Sequence, residues 1–206
     1  RVANDADCFA LSEAVDGAGT GAGTVFGAIL GTGVGGGLAI GGRLLAGPNA
    51  IAGEWGHNPL PWPADDERPG PSCYCGRQGC IESFLSGPGL VRSYAALASV
   101  LPDGDADAAS IAARAEAGED AARRALALHS DRLARALATV VNLVDPDVVV
   151  LGGGLSNMKR LYEDVPRLWT RWIFSDRVAT RLMPPAHGDS SGVGGAAWLW
   201  PAERSG

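Results

Sequence analysis

The stretch TVFGAILGTGVGGGLAIGGRLL, residues 24–45, places a glycine-rich turn between apolar segments. Its first seven residues predict a buried strand, and residues 38–45 predict a hairpin that turns at Gly41-Gly42. The run 31–37 has the dinucleotide spacing G-x-G-x-x-G, but that motif requires a helix next. Because a hairpin follows, a Rossmann site is disfavoured. Successive backbone N–H groups of the turn could still hold phosphates, and a ligand-free tight hairpin is the alternative.

Helices alternate with strands along the rest of the chain, which predicts an α/β fold. A strand over 147–151 runs straight into Gly152-Gly153-Gly154 and a helix, an arrangement that suits a nucleotide lying over a strand end. Another strand is predicted over 177–183. Helices are predicted over 6–15, 86–101, 107–117, 119–144, 158–173 and 192–200.

The composition excludes some classes of function. The 206 residues have a net charge of −6, with 46% hydrophobic and 19% charged residues. This balance is ordinary for a soluble protein with a sizeable core. It supplies no broad positive field, so nucleic acid is not expected as a partner. The apolar runs are too short for a transmembrane helix, so no membrane partner is expected either.

Three of the four cysteines lie close together, at Cys73, Cys75 and Cys80, in a loop rich in proline and glycine. With His57 upstream they form a Cys3His set, which is typical of structural zinc. The loop 46–81 has few large apolar residues, so a metal would replace burial as the force that closes it. The alternatives are a disulfide with one free thiol, or unrelated buried cysteines. Cys8 is predicted to lie in the core. A zinc site would place the protein in a reducing, cytoplasmic compartment.

Four candidate acid–base or hydroxyl-binding groups stand near these motifs: Asp5, Glu54, His57 and Glu82. Closure of the loop by a metal would bring the two glutamates together. Asp5 starts a short helix, either as its N-cap or at its positive end, and could accept a proton from a hydroxyl that attacks a phosphate. Taken singly, each acid could equally be a helix cap or a solvated surface group. His129 and His187 are read as structural or surface residues.

Together these motifs resemble the ROK family of sugar kinases and repressors. The resemblance lies in NDA (4–6), LGTGVGGG (30–37), GEWGHNPL (53–60), CYCGRQGCIE (73–82) and VLGGGLSN (150–157). GEWGHNPLPW (53–62) and HGDSSGVGGAAWLWP (187–201) resemble the bacterial fructokinase branch in particular. The resemblance implies an actin-like fold with a ribonuclease-H-like core, and ATP-dependent phosphorylation of a hexose, expected to be fructose. By analogy, a homodimer is also expected.

The resemblance also implies roles for individual residues. Asp5 would be the catalytic base. Sugar hydroxyls would be held by Asn4, Glu54, His57 and Glu82. The phosphates of ATP, with Mg²⁺, would lie against Gly31, Thr32, Gly33 and Gly35, and the adenosine against Gly152, Gly153 and Gly154. Structural Zn²⁺ would be bound by His57, Cys73, Cys75 and Cys80.

The organisation expected from the family is that of a C-terminal portion, about two-thirds of a kinase. Residues 1–45 would carry the catalytic helix and phosphate hairpin, 46–85 the sugar and zinc loop, and 86–190 the helical, nucleotide-binding part. A terminal helix over 191–206 would pack on an N-terminal domain. That domain carries an Asp-x-Gly-Gly-Thr phosphate loop in the family, so residues 1–206 alone are expected to catalyse poorly.

Two residues depart from the family pattern, because Asp7 stands where Asn is common and Gly194 where Arg is common. The alternatives to a fructokinase are a sugar-responsive repressor of the same family, a kinase specific for glucose, mannose or an N-acetyl sugar, and an inactive sugar-binding module. The presence of Asp5 and of the 53–62 motif favours a kinase over a repressor.

Overall fold

The computed structural model describes residues 4–99 and 106–188. A five-stranded sheet in the order β3-β2-β1-β4-β5 forms its centre. The strands are β1 (Thr24–Leu30), β2 (Val34–Ile40), β3 (Arg43–Leu44), β4 (Val148–Gly152) and β5 (Arg181–Met183). The helices are α1 (Asp5–Val15), α2 (Ile81–Leu85), α3 (Gly87–Ala98), α4 (Ala108–Glu116), α5 (Asp120–Val144) and α6 (Arg160–Leu168). The predicted α/β class is confirmed, and the predicted helix over 192–200 lies outside the described residues.

The lengths of the connections explain the directions of the strands. Short turns join β1 to β2 and β2 to β3, and both pairs are antiparallel. The chain passes through the helices α2–α5 between β1 and β4, so it re-enters the sheet beside β1 in the same direction. The same holds for β4 and β5, which are joined through α6. Parallel neighbours need crossovers of this kind.

Alternating residues of the strands face two apolar layers, as the pleat of a strand requires. Val25, Val148 and Val150 pack with Phe9 of α1 in the smaller layer. The larger layer holds residues of the other strand face together with the buried stripe of α5. The predicted long helix over 119–144 is therefore confirmed as the main support of the sheet.

Several glycines of the sheet make room for α1. A Cβ on Gly27 would come within 2.9 Å of the Cα of Ala10, and a Cβ on Gly37 within 2.5 Å of the carbonyl oxygen of Ala6. Helix α1 can lie this close to the strands only because these positions lack a side chain. These glycines therefore allow the N-terminus of α1, with Asp5, to lie over the start of β2.

The structure differs from the predicted elements in four places. Strand β2 begins at Val34, so the predicted turn 31–37 is mostly strand. Helix α2 was not predicted. Its C-cap is Ser86, which is also the N-cap of α3 and accepts a hydrogen bond from the backbone N–H of Gly89. The predicted helix over 158–173 is α6 followed by a 3-10 turn, Trp169–Arg171. The predicted strand over 177–183 is only three residues long.

An ion-pair network attaches the loop that connects β3 and α2 to the long helix α5. The Glu67 carboxylate is buried and accepts hydrogen bonds from Arg132 at 2.7 Å and from Arg135 at 2.8 and 2.9 Å. Arg135 also donates to the carbonyl oxygen of Trp62 at 2.7 Å. Burial would raise the pKa of Glu67, but the hydrogen bonds from Arg135, Arg132 and the Ala64 backbone outweigh it and lower that pKa to about 2. Each buried charge therefore has a partner, as a buried ion pair requires.

No helix within residues 4–99 and 106–188 combines the length and the apolar character needed to cross a bilayer.

His129 of α5 gives a test of the packing. Its ring is buried, and neither ring nitrogen has a hydrogen-bond partner among the described residues. Burial, with a smaller contribution from Arg132, lowers the pKa of His129 from 6.5 to about 4. The folded state thus binds fewer protons than the unfolded state between these two values. The free energy of unfolding should fall by roughly 3 kcal/mol as the pH drops from 7 to 4 because of this residue.

The substitution His129→Leu should remove that fall and raise the stability at neutral pH by about 1 kcal/mol, because two unpaired nitrogens leave the core. Urea unfolding at several pH values measures both effects, with the exposed His187→Leu as the matched control. An unchanged pH slope in His129→Leu would show that the buried imidazole does not titrate in this way.

Candidate active site and metal centre

Asn4 and Asp5 share the start of α1. The Asn4 side chain is the N-cap and accepts a hydrogen bond from the backbone N–H of Asp7 at 2.7 Å. Asp5 lies in the first turn, exposed, where the positive end of the helix favours a carboxylate. Of the two predicted positions, Asp5 therefore takes the one at the positive end of the helix and not the N-cap. Because Asn4 does the capping, the Asp5 carboxylate is available to a ligand apart from one hydrogen bond at 2.9 Å from the backbone N–H of Ala6.

Glu54 reaches the same place from the long loop. The side-chain amide of Asn4 donates to Oε1 of Glu54 at 3.0 Å. The neighbouring Trp55 fixes this part of the loop, since its indole N–H donates to the Gly35 carbonyl oxygen at 2.8 Å. This role of Trp55 was not predicted, although its place inside GEWGH was the available signal. The loop segment that carries Glu54 and His57 is thus attached directly to β2.

A third acid, Asp7, lies behind these residues. Its side chain is buried, and Oδ1 has no hydrogen-bond partner among the described residues. Burial raises the pKa of Asp7, a hydrogen bond from the Asn4 backbone lowers it, and the carboxylates of Glu54 and Asp5 raise it further. The start of α1 is therefore rich in negative charge. Such a site suits the hydroxyl groups of a neutral ligand, and it would accept phosphates only together with a cation.

Glu82 joins the glycine turn to the metal cluster. Its Oε2 accepts a hydrogen bond from the backbone N–H of Val34 at 3.0 Å, and its Oε1 lies 3.8 Å from the sulfur of Cys73. A Cβ on Gly33 would come within 2.7 Å of the same Oε2. The absence of a side chain at Gly33 therefore makes room for the Glu82 carboxylate. This role is separate from the phosphate contact predicted for Gly33. Gly31 has open space above it, and Gly35 lies against Ala6.

The second glycine turn lies beside the first, at the end of the neighbouring parallel strand. Gly153 has a φ of 78°, and a Cβ there would come within 2.5 Å of the Leu30 carbonyl oxygen at the end of β1. Gly154 is exposed and lines a cavity of about 680 Å³ between α4 and the start of α6. Ligands of α/β sheets bind outside the carboxyl ends of the strands. The predicted phosphate and adenosine turns thus open at the same edge of the sheet.

The four predicted metal ligands converge. One ligand atom from each of His57, Cys73, Cys75 and Cys80 lies within 4.8 Å of the others. Sγ of Cys75 is 3.6 Å from Sγ of Cys80, and Sγ of Cys73 is 3.6 Å from Nδ1 of His57. All four cysteines are free, and Cys8 is buried on α1, apart from the cluster. Three thiols and an imidazole within this space fit a tetrahedral zinc ion.

Proximity within the cluster shifts the pKa values of two of the thiols. Burial and the neighbouring thiols raise the pKa of Cys80 to about 12. A backbone hydrogen bond at Arg77 lowers the pKa of Cys75. Zinc binds thiolates, so a bound ion would displace the protons that the crowded thiols otherwise keep.

His57 has two different neighbours, one at each ring nitrogen. Nδ1 faces the thiols, while Nε2 lies 2.9 Å from the hydroxyl of Tyr74. This contact of Tyr74 was not predicted, although the residue stands between two predicted ligands. One nitrogen of the imidazole therefore faces the metal cluster, and the other contacts the Tyr74 hydroxyl.

Comparison with known proteins gives one family for this arrangement. A model of the ROK family matches residues 1–203. An N-acetyl-D-glucosamine kinase of Yersinia pseudotuberculosis is 41% identical over 209 residues, which cover 99% of this chain and 67% of that protein.

Two solved structures share the fold. The ROK family glucokinase of Streptomyces griseus, in complex with glucose and AMPPNP, has a TM-score of 0.82 and 31% identity, covering 96% of this chain and 67% of that one. A ROK family transcriptional regulator, a homologue of the E. coli MLC protein, has a TM-score of 0.81 and 24% identity, covering 96% and 50%. The latter shows a shared fold alone. The chain thus spans about two-thirds of the length of the two kinases.

The metal cluster predicts one zinc ion per chain in protein purified without chelator. Cys75→Ser should lower zinc affinity by more than about a hundredfold, because it removes a ligand, and even supporting residues of metal sites contribute ten- to a hundredfold. Cys75 is exposed, so the change leaves no hole in the core.

Elemental analysis and competition with a chromophoric chelator measure the stoichiometry and the affinity. Cys8→Ser is the matched control and should retain the metal. Zinc-free wild-type protein, or equal affinity in Cys75→Ser, would contradict the assignment.

Proposed function

This chain belongs to the ROK family, and we propose that its protein is an ATP-dependent hexose kinase. The observation that carries the proposal is the position of Asp5. An exposed carboxylate lies at the N-terminus of α1, beside the Asn4–Glu54 hydrogen bond, at the sheet edge where both glycine turns open. The combination of a base, hydroxyl-binding groups and phosphate-binding backbone is what phosphoryl transfer to an alcohol needs.

Asp5 is proposed as the general base. It would take the proton of one sugar hydroxyl as that oxygen attacks the γ-phosphorus of ATP in line with the departing ADP oxygen. The new O–P bond forms as the bond to ADP breaks, and the proton stays on Asp5 until it is released to solvent. The single hydrogen bond from the Ala6 N–H leaves lone pairs of the carboxylate for this task.

The other groups would hold and orient the sugar. The Asn4–Glu54 pair reaches it from one side. His57 and Glu82 lie together on the metal-cluster side. Carboxylates and imidazoles bind hydroxyl groups as acceptors and donors. Zinc, held by His57, Cys73, Cys75 and Cys80, would fix the loop and take no part in the transfer.

ATP would bind across the two turns. The turn at Gly31, Thr32 and Gly33 would face the phosphates, and the cavity next to Gly154 would receive the adenosine. Mg²⁺ would accompany the nucleotide, since the carboxylates of Asp5 and Glu54 would repel bare phosphates. AMPPNP in the Streptomyces glucokinase supports ATP as the donor.

The sugar we propose is N-acetyl-D-glucosamine or glucose. The Yersinia relative is an N-acetyl-D-glucosamine kinase, and the Streptomyces structure contains glucose. The fructose preference expected from the 53–62 motif receives no support from these relatives. Small changes in a pocket change sugar preference, which explains why a ten-residue motif did not decide it.

The repressor alternative shares the fold, so the fold does not distinguish the two functions. The free carboxylate of Asp5 supports the kinase, because a sugar sensor needs no base. The homodimer, a cytoplasmic location and the poor catalysis expected of residues 1–206 alone remain predictions.

Asp5→Asn should lower kcat by about 10²- to 10⁴-fold, the contribution of a general base, while the sugar dissociation constant stays nearly unchanged. Coupled-assay kinetics and calorimetric sugar titration of the intact protein measure the two quantities. Asp66→Asn, an exposed acid of the loop, is the matched control. Equal turnover in Asp5→Asn would rule out Asp5 as the base.

A sugar panel tests the substrate. The intact protein with ATP and Mg²⁺ should phosphorylate N-acetyl-D-glucosamine or glucose with a kcat/KM at least about tenfold above that for fructose, because specificity is a difference in transition-state binding. A higher kcat/KM for fructose would restore the fructokinase hypothesis. Absence of transfer to every hexose, with sugar binding retained, would favour the repressor or the binding module.

A further inference from the structure

We propose that the hydroxyl of Tyr74 occupies, in the sugar-free protein, the place at Nε2 of His57 that a sugar hydroxyl takes on binding. Tyr74 would thus be a built-in competitor that sets sugar affinity. This inference rests on the proposed function, since it assigns the Nε2 face of His57 to the sugar.

The geometry gives Tyr74 little support besides His57. Its side chain is 84% exposed. The hydroxyl lies 2.9 Å from Nε2, and the two rings meet edge to face with their centroids 5.0 Å apart. A side chain this exposed can rotate into solvent at small cost, so the contact can be exchanged for another one.

The imidazole can serve only one of the two oxygens well. Nδ1 of His57 faces the thiol cluster, so a metal there places the ring proton on Nε2. That nitrogen then carries a single N–H, which donates to the Tyr74 oxygen. A sugar hydroxyl that needs the same N–H must displace the phenol.

Tyr74 also lies on the side of the proposed sugar groups. Oε1 of Glu82 lies 3.8 Å from the sulfur of Cys73, the residue before Tyr74, and the negative charge of Glu82 raises the pKa of the phenol. The phenol is therefore on the Glu82 side of the cluster. Its neighbours in the sequence are the predicted ligands Cys73 and Cys75. A metal bound to both would hold the backbone of Tyr74 while the side chain moves.

The test is the sugar dissociation constant of Tyr74→Phe, measured by calorimetry on the intact, zinc-loaded protein with N-acetyl-D-glucosamine and with glucose. The phenylalanine retains the ring and loses the competing oxygen. We expect sugar to bind roughly two- to tenfold more tightly, the range that one hydrogen bond contributes. Zinc should remain at one ion per chain, as in wild type.

Tyr94→Phe is the matched control, because that hydroxyl bonds to Glu119 on another face, at 2.6 Å, and its sugar affinity should equal that of wild type. An unchanged or weaker affinity in Tyr74→Phe would overturn the inference and leave the kinase proposal standing. A wild-type protein that binds neither sugar would contradict the proposed sugars and, with them, the inference.

A second measurement follows the rings directly. The nuclear Overhauser contact between Tyr74 and His57 should be present in the sugar-free protein and should disappear when sugar saturates the site. If the contact persists in the saturated complex, Tyr74 does not compete for Nε2 and the inference is wrong.

Discussion

The loop between β3 and α2 is the part of the chain on which the site depends, because it carries Glu54 and His57. Trp55 and Leu60 bury part of this loop in the core, and the Trp55 indole attaches it to Gly35 of β2. Two further devices fix the rest of it. At one point the buried Glu67 pairs with Arg132 and Arg135 of α5. At the other, three thiols and His57 gather within 4.8 Å. The first device is complete within the protein, whereas the second needs a cation to remove the thiol protons and join the ligands.

Closure of this loop joins parts of the chain that are far apart in sequence. The Asn4–Glu54 hydrogen bond connects it to the start of α1, and Glu82 connects the metal cluster to the glycine turn through Val34. The glycines of β1 and β2 let α1 approach the sheet, which sets the height of Asp5 above the turns. The proposed base and the proposed phosphate-binding backbone thus take their places from packing, and the loop adds the groups proposed to bind the sugar.

Much of this was accessible from the sequence, because its signals are local. The apolar run 24–30, the stripe of α5 and the Cys73-x-Cys75-x4-Cys80 spacing each predicted an element or a cluster that the structure contains. The Glu67 network was not predicted because Glu67 lies more than sixty positions before Arg132 and Arg135. Arginines on a helix are also usually exposed to solvent. Trp55 and Tyr74 stand inside motifs that the sequence shows, but the contacts that give them importance, with Gly35 and with His57, are tertiary. The sugar depends on details of a pocket, and there the motif 53–62 pointed to a different hexose from the relatives.

The most direct measurement of the central claim is a sugar titration of the intact protein before and after removal of zinc by a chelator, followed by zinc addition. The metal should be needed for sugar binding and not for the folding of the sheet. Affinity for N-acetyl-D-glucosamine or glucose should therefore vanish with the metal and return with it, while the far-ultraviolet circular dichroism changes little. Sugar binding that survives in demonstrably zinc-free protein would contradict the claim that a metal-closed loop forms the sugar site.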